Sequence, residues 1–559
     1  MGPESPLADP VRITFLGGLG EIGRNCACIE LNGRIMLLDC GLMFPNLEMP
    51  GVDLVLPDLT YLRDNADRVE GCILTHGHED HTGGLAYLLR DISLPVYGSP
   101  LTLGLARNRI EEAGMLARAE LIPVADGERR RIGPFDVEFI PVTHSVPNGF
   151  ATAFHTPQGV VLHSGDFKLD LAPVDGRLTD LSRIGAIASE HGIRLLLSDS
   201  TNAEEPGYTA SESAVGAALR SLFEEHRDKR IITACFASHM HRVQQVCDAA
   251  LRSGRTVATL GRSMAKNVAL ARQLGILRLP DDRLIDIERL DEVDPARMCV
   301  VSTGSQGEPM SALSLMAAGE NKWLRVGEGD LVIISANAIP GNEWAVAKVI
   351  DGLYRLGAEV VHSDQAEVHA SGHGKQAELQ TMLAVARPEA FIPVHGEYRH
   401  LVHHSRLAVG MGVDESKVLL CEDGDVVTLD DDGIARTGEV PAGYLYVDGT
   451  VGDVGHGVLR DRRALSEEGV IVVVVAVDGQ AGEILTGPEI ITRGWVHAPE
   501  AEGLLEDARA AVKASLEEAV EEGATDHDTL RRHVRSAMGR IVGERTRRRP
   551  MIVPVVMEA

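Results

Sequence analysis

Eleven residues of this 559-residue chain, 74–84 (LTHGHEDHTGG), constrain it more than any other stretch. His76, His78, Asp80 and His81 fall within six positions, directly behind the β-prone run GCILT. Imidazoles at alternate positions converge on one metal ion, while the Asp-His pair that follows turns toward a second. Two ions need further ligands, and other strand ends supply them: His144 in VTHSVP, Asp166 in HSGDF and His395 in PVHGE. The natural division gives one ion His76, His78 and His144 and the other Asp80, His81 and His395, with Asp166 bridging. Each ion keeps an open position, the mark of a catalytic site. Nitrogen and oxygen donors without sulfur favour two Zn2+, with Mn2+ as the alternative.

A second motif points elsewhere. Gly18, Gly20 and Gly23 spell G-x-G-x-x-G behind a strand-like run, and Asp39 stands where a dinucleotide-binding fold wants its ribose partner. Such a site also needs a helix opening at the last glycine. Two short β-prone runs around Asn32-Gly33 follow instead, which reads as a hairpin and leaves no room for that helix.

Composition narrows the classes further. There is no apolar run of membrane-spanning length; the longest, VIVVVVAV at 470–477, is strand-sized. The opening MGPESPLADP has no basic-then-apolar export signal, and the eight cysteines form no C-x-x-C pair, so a cytoplasmic protein without a zinc knuckle is expected. A net charge of −28 argues against a broad nucleic-acid-binding surface. It does not argue against a cleft made locally positive by metal ions, helix ends and a few arginines.

From residue 11 to about 205 short strands alternate with turns, and many end in His or Asp. From about 209 to 368 helices and strands alternate, as in a parallel α/β unit, before a strand ending at His395 returns. An insertion within the first domain accounts for that return. The Gly- and Asp-rich stretch 441–461 reads as a linker. Beyond it, helices near 502–523 and 528–543, with Leu504, Leu505, Ala508, Val512, Leu516 and Val520 at helical spacing, and a closing strand suggest a small α/β domain.

These blocks resemble a known family. THGHEDHTGG, THS, SGDF and PVHGE are similar to the metallo-β-lactamase signature, and the inserted unit resembles the β-CASP module of its nucleic-acid-processing branch. GGLGEIGRN, LDCGLMFP, SDSTNAE, GRSM, TGSQGEP and PGNE resemble blocks of the bacterial ribonuclease J family over nearly the whole chain. The resemblance implies an α/β protein. A metallo-β-lactamase αββα sandwich (1–208 and 369–440) carries a β-CASP domain (209–368), a linker (441–461) and a C-terminal α/β domain (462–559).

The implied activity is a two-metal ribonuclease, a 5′-to-3′ exonuclease preferring 5′-monophosphate ends and also an endonuclease, in RNA decay and maturation. The resemblance makes Asp80, Asp199 and His373 catalytic, with His373, supported by Asp199, protonating the leaving 3′ oxygen. It places a phosphate pocket at His369, Ala370, Ser371, Gly372 and His373. Phe236, Ala237, Ser238 and His239, with 303–309 and Arg262, line an RNA track or serve as ordinary strand-to-helix turns. Asp53 and Asp448 are candidates for a separate structural cation, Ca2+ or Mn2+. Single-stranded RNA and a homodimer or tetramer are the expected partners, with no membrane; the basic GERTRRRP near the C-terminus is a second candidate RNA contact. Two other readings are a hydrolase of small thioesters or lactones and a catalytically silent RNA-binding scaffold. The inserted domain and the HASGH block speak against the first, the intact ligand set against the second.

Overall fold

The computed structural model describes residues 9–46, 48–339, 341–449, 451–478, 484–496, 502–523 and 526–558. The first eight residues and Pro340 of PGNE lie outside them. One unit runs to Met43 and resumes over Leu56–Tyr444; the other combines Phe44–Val55 with the chain from Leu445 onward.

The first unit contains two sheets packed face to face. One is ordered Gly433–Glu439, Asp425–Asp430, Val11–Gly17, Cys26–Leu31, Arg34–Leu38, Val69–Ile73, Leu94–Gly98, Ala119–Pro123. The other is ordered Ala390–Val394, Ile193–Asp199, Gly159–His163, Gly149–Thr156, Phe135–Val142, Arg129–Ile132. Phe15, Ile29, Met36 and Ile73 of the first interdigitate with Phe139, Phe150, Phe154, Leu197 and Ile392 of the second, so the inner faces exclude water. Helices cover both outer faces: Leu85, Leu88 and Leu89 pack beneath the first sheet, and Ile184, Ile187, Leu379 and Met382 beneath the second. The result is an αββα sandwich.

Strand direction places the chemistry. Gly159–His163, Ile193–Asp199 and Ala390–Val394 run parallel, with Asp199 beside Val394 in register. Phe135–Val142 has the same sense because two antiparallel steps separate it from Gly159–His163. Four strands of the same sense, with the antiparallel Gly149–Thr156 between two of them, therefore discharge His144, Asp166, Asp199 and His395 at one end of the sheet. Parallel strands gather ligand sites at their carboxyl ends for the same reason.

Between these strands the chain builds a six-stranded parallel sheet, ordered Leu284–Ile285, Thr256–Leu260, Met298–Ser302, Arg230–Ala234, Asp330–Ile334, Glu359–Val361. RIITA, MCVVS and DLVII read as nearly continuous apolar runs because both of their faces are buried.

The glycine motif forms no nucleotide-binding turn. Gly18 and Gly23 hold φ of +94° and +129°, and a Cβ on Gly23 would lie 2.8 Å from Met43. No helix follows; the chain enters the hairpin Cys26–Leu31 and Arg34–Leu38.

In the second unit, Ile484–Arg493, Val470–Val477 and Met551–Glu558 form a sheet, with helices Glu502–Glu521 and His527–Thr546 packed on one face through Ile471, Val473, Val512, Leu516, Val534 and Met538. Segment 441–461, expected as a linker, carries the strands Tyr444–Asp448 and Val451–Asp453 and the start of helix Gly455–Glu467. Its glycines and aspartates supply the turns between these elements. Val447 accepts the Asp53 amide at 2.8 Å, which draws segment 44–55 into the second unit.

Candidate metal centre

The site is organised around one atom. Asp166 Oδ2 lies 3.6 Å from His76 Nε2, 3.3 Å from His81 Nε2, 3.8 Å from His144 Nε2 and 3.5 Å from His395 Nε2. It is buried and has no hydrogen-bond partner. A buried carboxylate oxygen without a hydrogen-bond donor is costly, and none of the four Nε2 atoms around it makes such a bond. A divalent cation relieves that cost, so the residues present fit a metal ion.

The ring orientation follows from what holds each imidazole from behind. Asp39 Oδ2 accepts from His81 Nδ1 at 2.8 Å and from the Thr75 hydroxyl at 2.8 Å. That hydroxyl has spent its proton on Asp39, so it accepts from His76 Nδ1 at 3.1 Å. Gly372 O accepts from His144 Nδ1 at 2.8 Å. The Thr201 hydroxyl donates to Asp199 Oδ1 at 2.8 Å and accepts from His395 Nδ1 at 2.7 Å. In all four rings Nδ1 is engaged from behind, so Nε2 is the nitrogen turned toward Asp166 and the one a metal would take, displacing a proton where the ring carries one. His78 differs: its Nδ1 faces the cluster, 3.0 Å from His76 Nε2 and 3.1 Å from His144 Nε2.

Two ligand sets result. His76, His78, His144 and Asp166 form one, and Asp80, His81 and His395 the other; within each, the ligand atoms lie within 4.8 Å of one another. Burial keeps His76 and His144 well below the usual imidazole range and takes His78 down to about 4, so these rings are neutral and ready to ligate. In the second set burial also opposes charge, but carboxylates outweigh it. Asp166, Asp80 and Asp39 raise His81 well above its ordinary value, and Asp166, Asp199 and Asp80 raise His395 to about 10. Asp80 Oδ2 sits 3.6 Å from His81 and 3.4 Å from His395. Its carboxyl is held below the ordinary carboxylate range by those charges, against burial.

A third proximity set joins Asp166 and His395 to Asp199 and His373. Here the nitrogen that would ligate is committed elsewhere: His373 Nδ1 donates to Asp199 Oδ2 at 2.8 Å. Burial alone would favour the neutral form of His373; the Asp199 carboxylate outweighs this and raises its pKa above the ordinary imidazole value.

Sequence reasoning did not assign Asp39, Thr75, Thr201 or Gly372 to this site. Asp39 had a visible signal, a carboxylate closing the strand Arg34–Leu38 with φ +60°, a conformation also adopted by His395 at +54°. Gly372 must be glycine because a Cβ there would meet His144 Cε1 at 2.6 Å. The glycine loop serves the centre as well: Asn25 N donates to Asp80 O at 2.9 Å, and its side chain reaches His81 Nε2 at 3.1 Å.

Around the proposed phosphate pocket, Ser371 Oγ accepts from Asn202 at 2.9 Å and from the His373 amide at 3.2 Å. Ala370 is buried, and His369 is half-buried with Nδ1 unpartnered. Phe236, Ala237 and Ser238 are half-buried, with Asn267 bound to Ala237 O at 2.9 Å. His239 is buried 3.5 Å from Glu212, which pairs with Arg242 at 2.8 Å. Burial takes His239 down to about 4 and His369 to about 3. Gln306 of 303–309 bridges Asn337 O and the Ile339 amide at 2.8 and 2.7 Å, and Arg262 opens the helix Arg262–Gln273, exposed. Asp53 accepts from the Gly449 amide at 2.7 Å and Asp448 is ion-paired with Arg462, which neutralises the carboxylate a cation would need.

Family models match four segments: the metallo-β-lactamase superfamily over 19–204, the β-CASP domain of ribonuclease J over 228–353, a Zn-dependent metallo-hydrolase RNA specificity domain over 361–418, and the ribonuclease J C-terminal domain over 457–559. Ribonuclease J of Mycobacterium tuberculosis is 44% identical over 100% of this chain and 99% of its own length, and ribonuclease J2 of Bacillus subtilis 40% over 98% of each. A solved structure of a protein of unknown function from Enterococcus faecalis shares the fold at 17% identity and a TM-score of 0.53, over 75% of this chain and all of that one.

Proposed function

The chain belongs to the ribonuclease J family of metallo-β-lactamase nucleases, and from that premise we propose a two-metal ribonuclease that degrades RNA 5′-to-3′, prefers 5′-monophosphate ends and also cleaves internally. The observation that supports it is the orphaned Asp166 oxygen faced by imidazoles on several sides. His76, His78, His144 and Asp166 would hold one ion, and Asp80, His81, His395 and Asp166 the other, with zinc favoured by the donor set. Bound there, the cations supply Lewis acidity and water activation.

The chain's own groups do the rest. Asp80 is the most accessible of the ligand carboxylates, its side chain 28% exposed against 2% for Asp166, and is placed to orient the attacking water. Asp199 accepts from His373 Nδ1, fixes its ring and favours its protonated form, and His373 delivers the proton on its other nitrogen, Nε2, to the leaving 3′ oxygen. A positioned acid contributes roughly 10²–10⁴ in rate because a bare alkoxide leaves poorly. Ser371 and the backbone around Gly372 would receive a terminal phosphate through neutral donors. The family also brings the expectation of self-association, as dimer or tetramer, in the cytoplasm. No helix among the described residues is long and apolar enough to cross a membrane.

The test compares one labelled RNA carrying a 5′ monophosphate or a 5′ triphosphate, with and without chelator, beside a small thioester. Chelator-sensitive RNA cleavage that is faster from the monophosphate supports the reading. Thioester turnover without RNA cleavage overturns it, and equal rates on the two RNA ends remove the pocket.

A further inference from the structure

The strongest concentration of positive charge lies outside the sandwich. Residues 531–549 hold eight arginines and one acidic residue, Glu544, in a chain of net charge −28. Most of them lie on the helix His527–Thr546. Its inner side, Leu530, Val534, Ala537, Met538 and Val542, is buried against the sheet of the second unit. Its outer side presents Arg531, Arg532, Arg535 and Arg540, all exposed.

Local pairing does not consume that charge. Arg545 is ion-paired with Asp507, and Arg548 lies 3.9 Å from Glu468, so both are occupied. Arg531 has only the exposed Asp528 at 3.7 Å, and Arg532 hydrogen-bonds Thr529 at 2.8 Å. Arg535 and Arg540 have no ion-pair partner among the described residues. In a chain this acidic, Arg531, Arg535 and Arg532, within about 100° of the helix circumference, with Arg540 about 80° further round, form a positive surface that attracts polyanions. The acidic groups beside them include the exposed Asp528 next to Arg531 and Asp526, whose carboxyl is held below its ordinary value by hydrogen bonds from Thr529 and, to a lesser degree, by Arg532.

We propose that this face docks the phosphodiester backbone of single-stranded RNA, independently of base sequence. The proposal rests on the ribonuclease reading, which supplies the polyanion. Guanidinium groups suit phosphate oxygens through paired N–H donors, and a helix face of arginines without flanking aromatics grips backbone rather than bases.

The experiment titrates full-length, metal-loaded protein with a phosphorothioate-linked single-stranded RNA, which resists hydrolysis, across a salt series. Each phosphate contact on a single strand contributes roughly 0.7 to the slope of log affinity against log salt, so the quadruple variant Arg531→Gln, Arg532→Gln, Arg535→Gln, Arg540→Gln should lower the slope by roughly 2–3. Arg540→Gln alone should lower it by about 0.7. These residues are exposed, and an unchanged melting temperature certifies the fold. An unchanged slope overturns the proposal, and so does an unchanged slope accompanied by an altered mass in light scattering, which makes the face a protein contact. If the unsubstituted chain binds no RNA, the ribonuclease reading itself falls; if it binds and the variants match it, only the docking surface does.

Discussion

The metal centre and the pocket beside it are both built from histidines, and their histidines are held in opposite ways. At the centre His76, His81, His144 and His395 each give Nδ1 to an acceptor and turn Nε2 toward Asp166. In the track and pocket, His239 and His369 each leave a buried nitrogen without a hydrogen-bond partner, Nε2 of one and Nδ1 of the other, whereas His373 of the pocket gives Nδ1 to Asp199. Burial lowers the pKa of His239 to about 4 and of His369 to about 3, so these two stay neutral. A ring gripped from behind is pre-aimed for a metal. A neutral ring lodged beside the Glu212–Arg242 pair packs, and contributes at most a neutral hydrogen bond to a ligand. In the proposed pocket, phosphate recognition would then fall to Ser371 and backbone donors.

The comparison breaks most severely at Asp166. Asp166→Asn replaces the shared anionic oxygen with a group that holds two cations poorly; metal analysis should find both ions lost and RNA cleavage at background. Retention of both ions would show that the carboxylate is not shared. Asp39→Asn probes the grip from behind while preserving shape. Metal affinity, read by competition with a chelator, should fall roughly 10–100-fold, and an unchanged affinity would reduce Asp39 to packing.

The smallest effects belong to the pocket. Ser371→Ala removes one neutral hydrogen bond, so the preference for a 5′ monophosphate should weaken by roughly 2–10-fold. That preference should stay flat between about pH 5.5 and 8 apart from any change that tracks His373, because neither His239 nor His369 gains charge in that window. Turnover behaves differently: Asp199 raises the His373 pKa, and the acid's proton is lost as pH rises through that raised value, so kcat should fall on the alkaline side. A monophosphate preference that climbs on acidification would show that a pocket histidine does become charged.

How much of this was legible depended on where each residue's partners lie. The seven proposed ligands stand at strand ends in short motifs of His and Asp, a local signal that needs no tertiary knowledge. Asp39 carries the same strand-end signal, yet its distance from the glycine motif made it look like a ribose partner. Only its 2.8 Å contact with His81 reveals its place. Thr201 and Gly372 act across 194 and 228 residues of sequence, and neither hydroxyl nor glycine announces such a partner. The αββα sandwich and the inserted parallel sheet followed from strand patterning and resemblance. The short strand Leu54–Pro57 and the recruitment of 44–55 to the second unit did not, because four residues carry too little periodicity.

The central claim is that His395 belongs to the metal shell while His373, whose ring centroid lies 5.2 Å away, does not. Metal content and cleavage rate measured on the same preparations of His395→Ala and His373→Ala test it directly. His395→Ala should lose metal and activity together, whereas His373→Ala should keep both ions, bind RNA and cleave roughly 10²–10⁴ times more slowly. A His373→Ala protein that loses an ion, beside a His395→Ala protein that keeps both, would contradict the assignment.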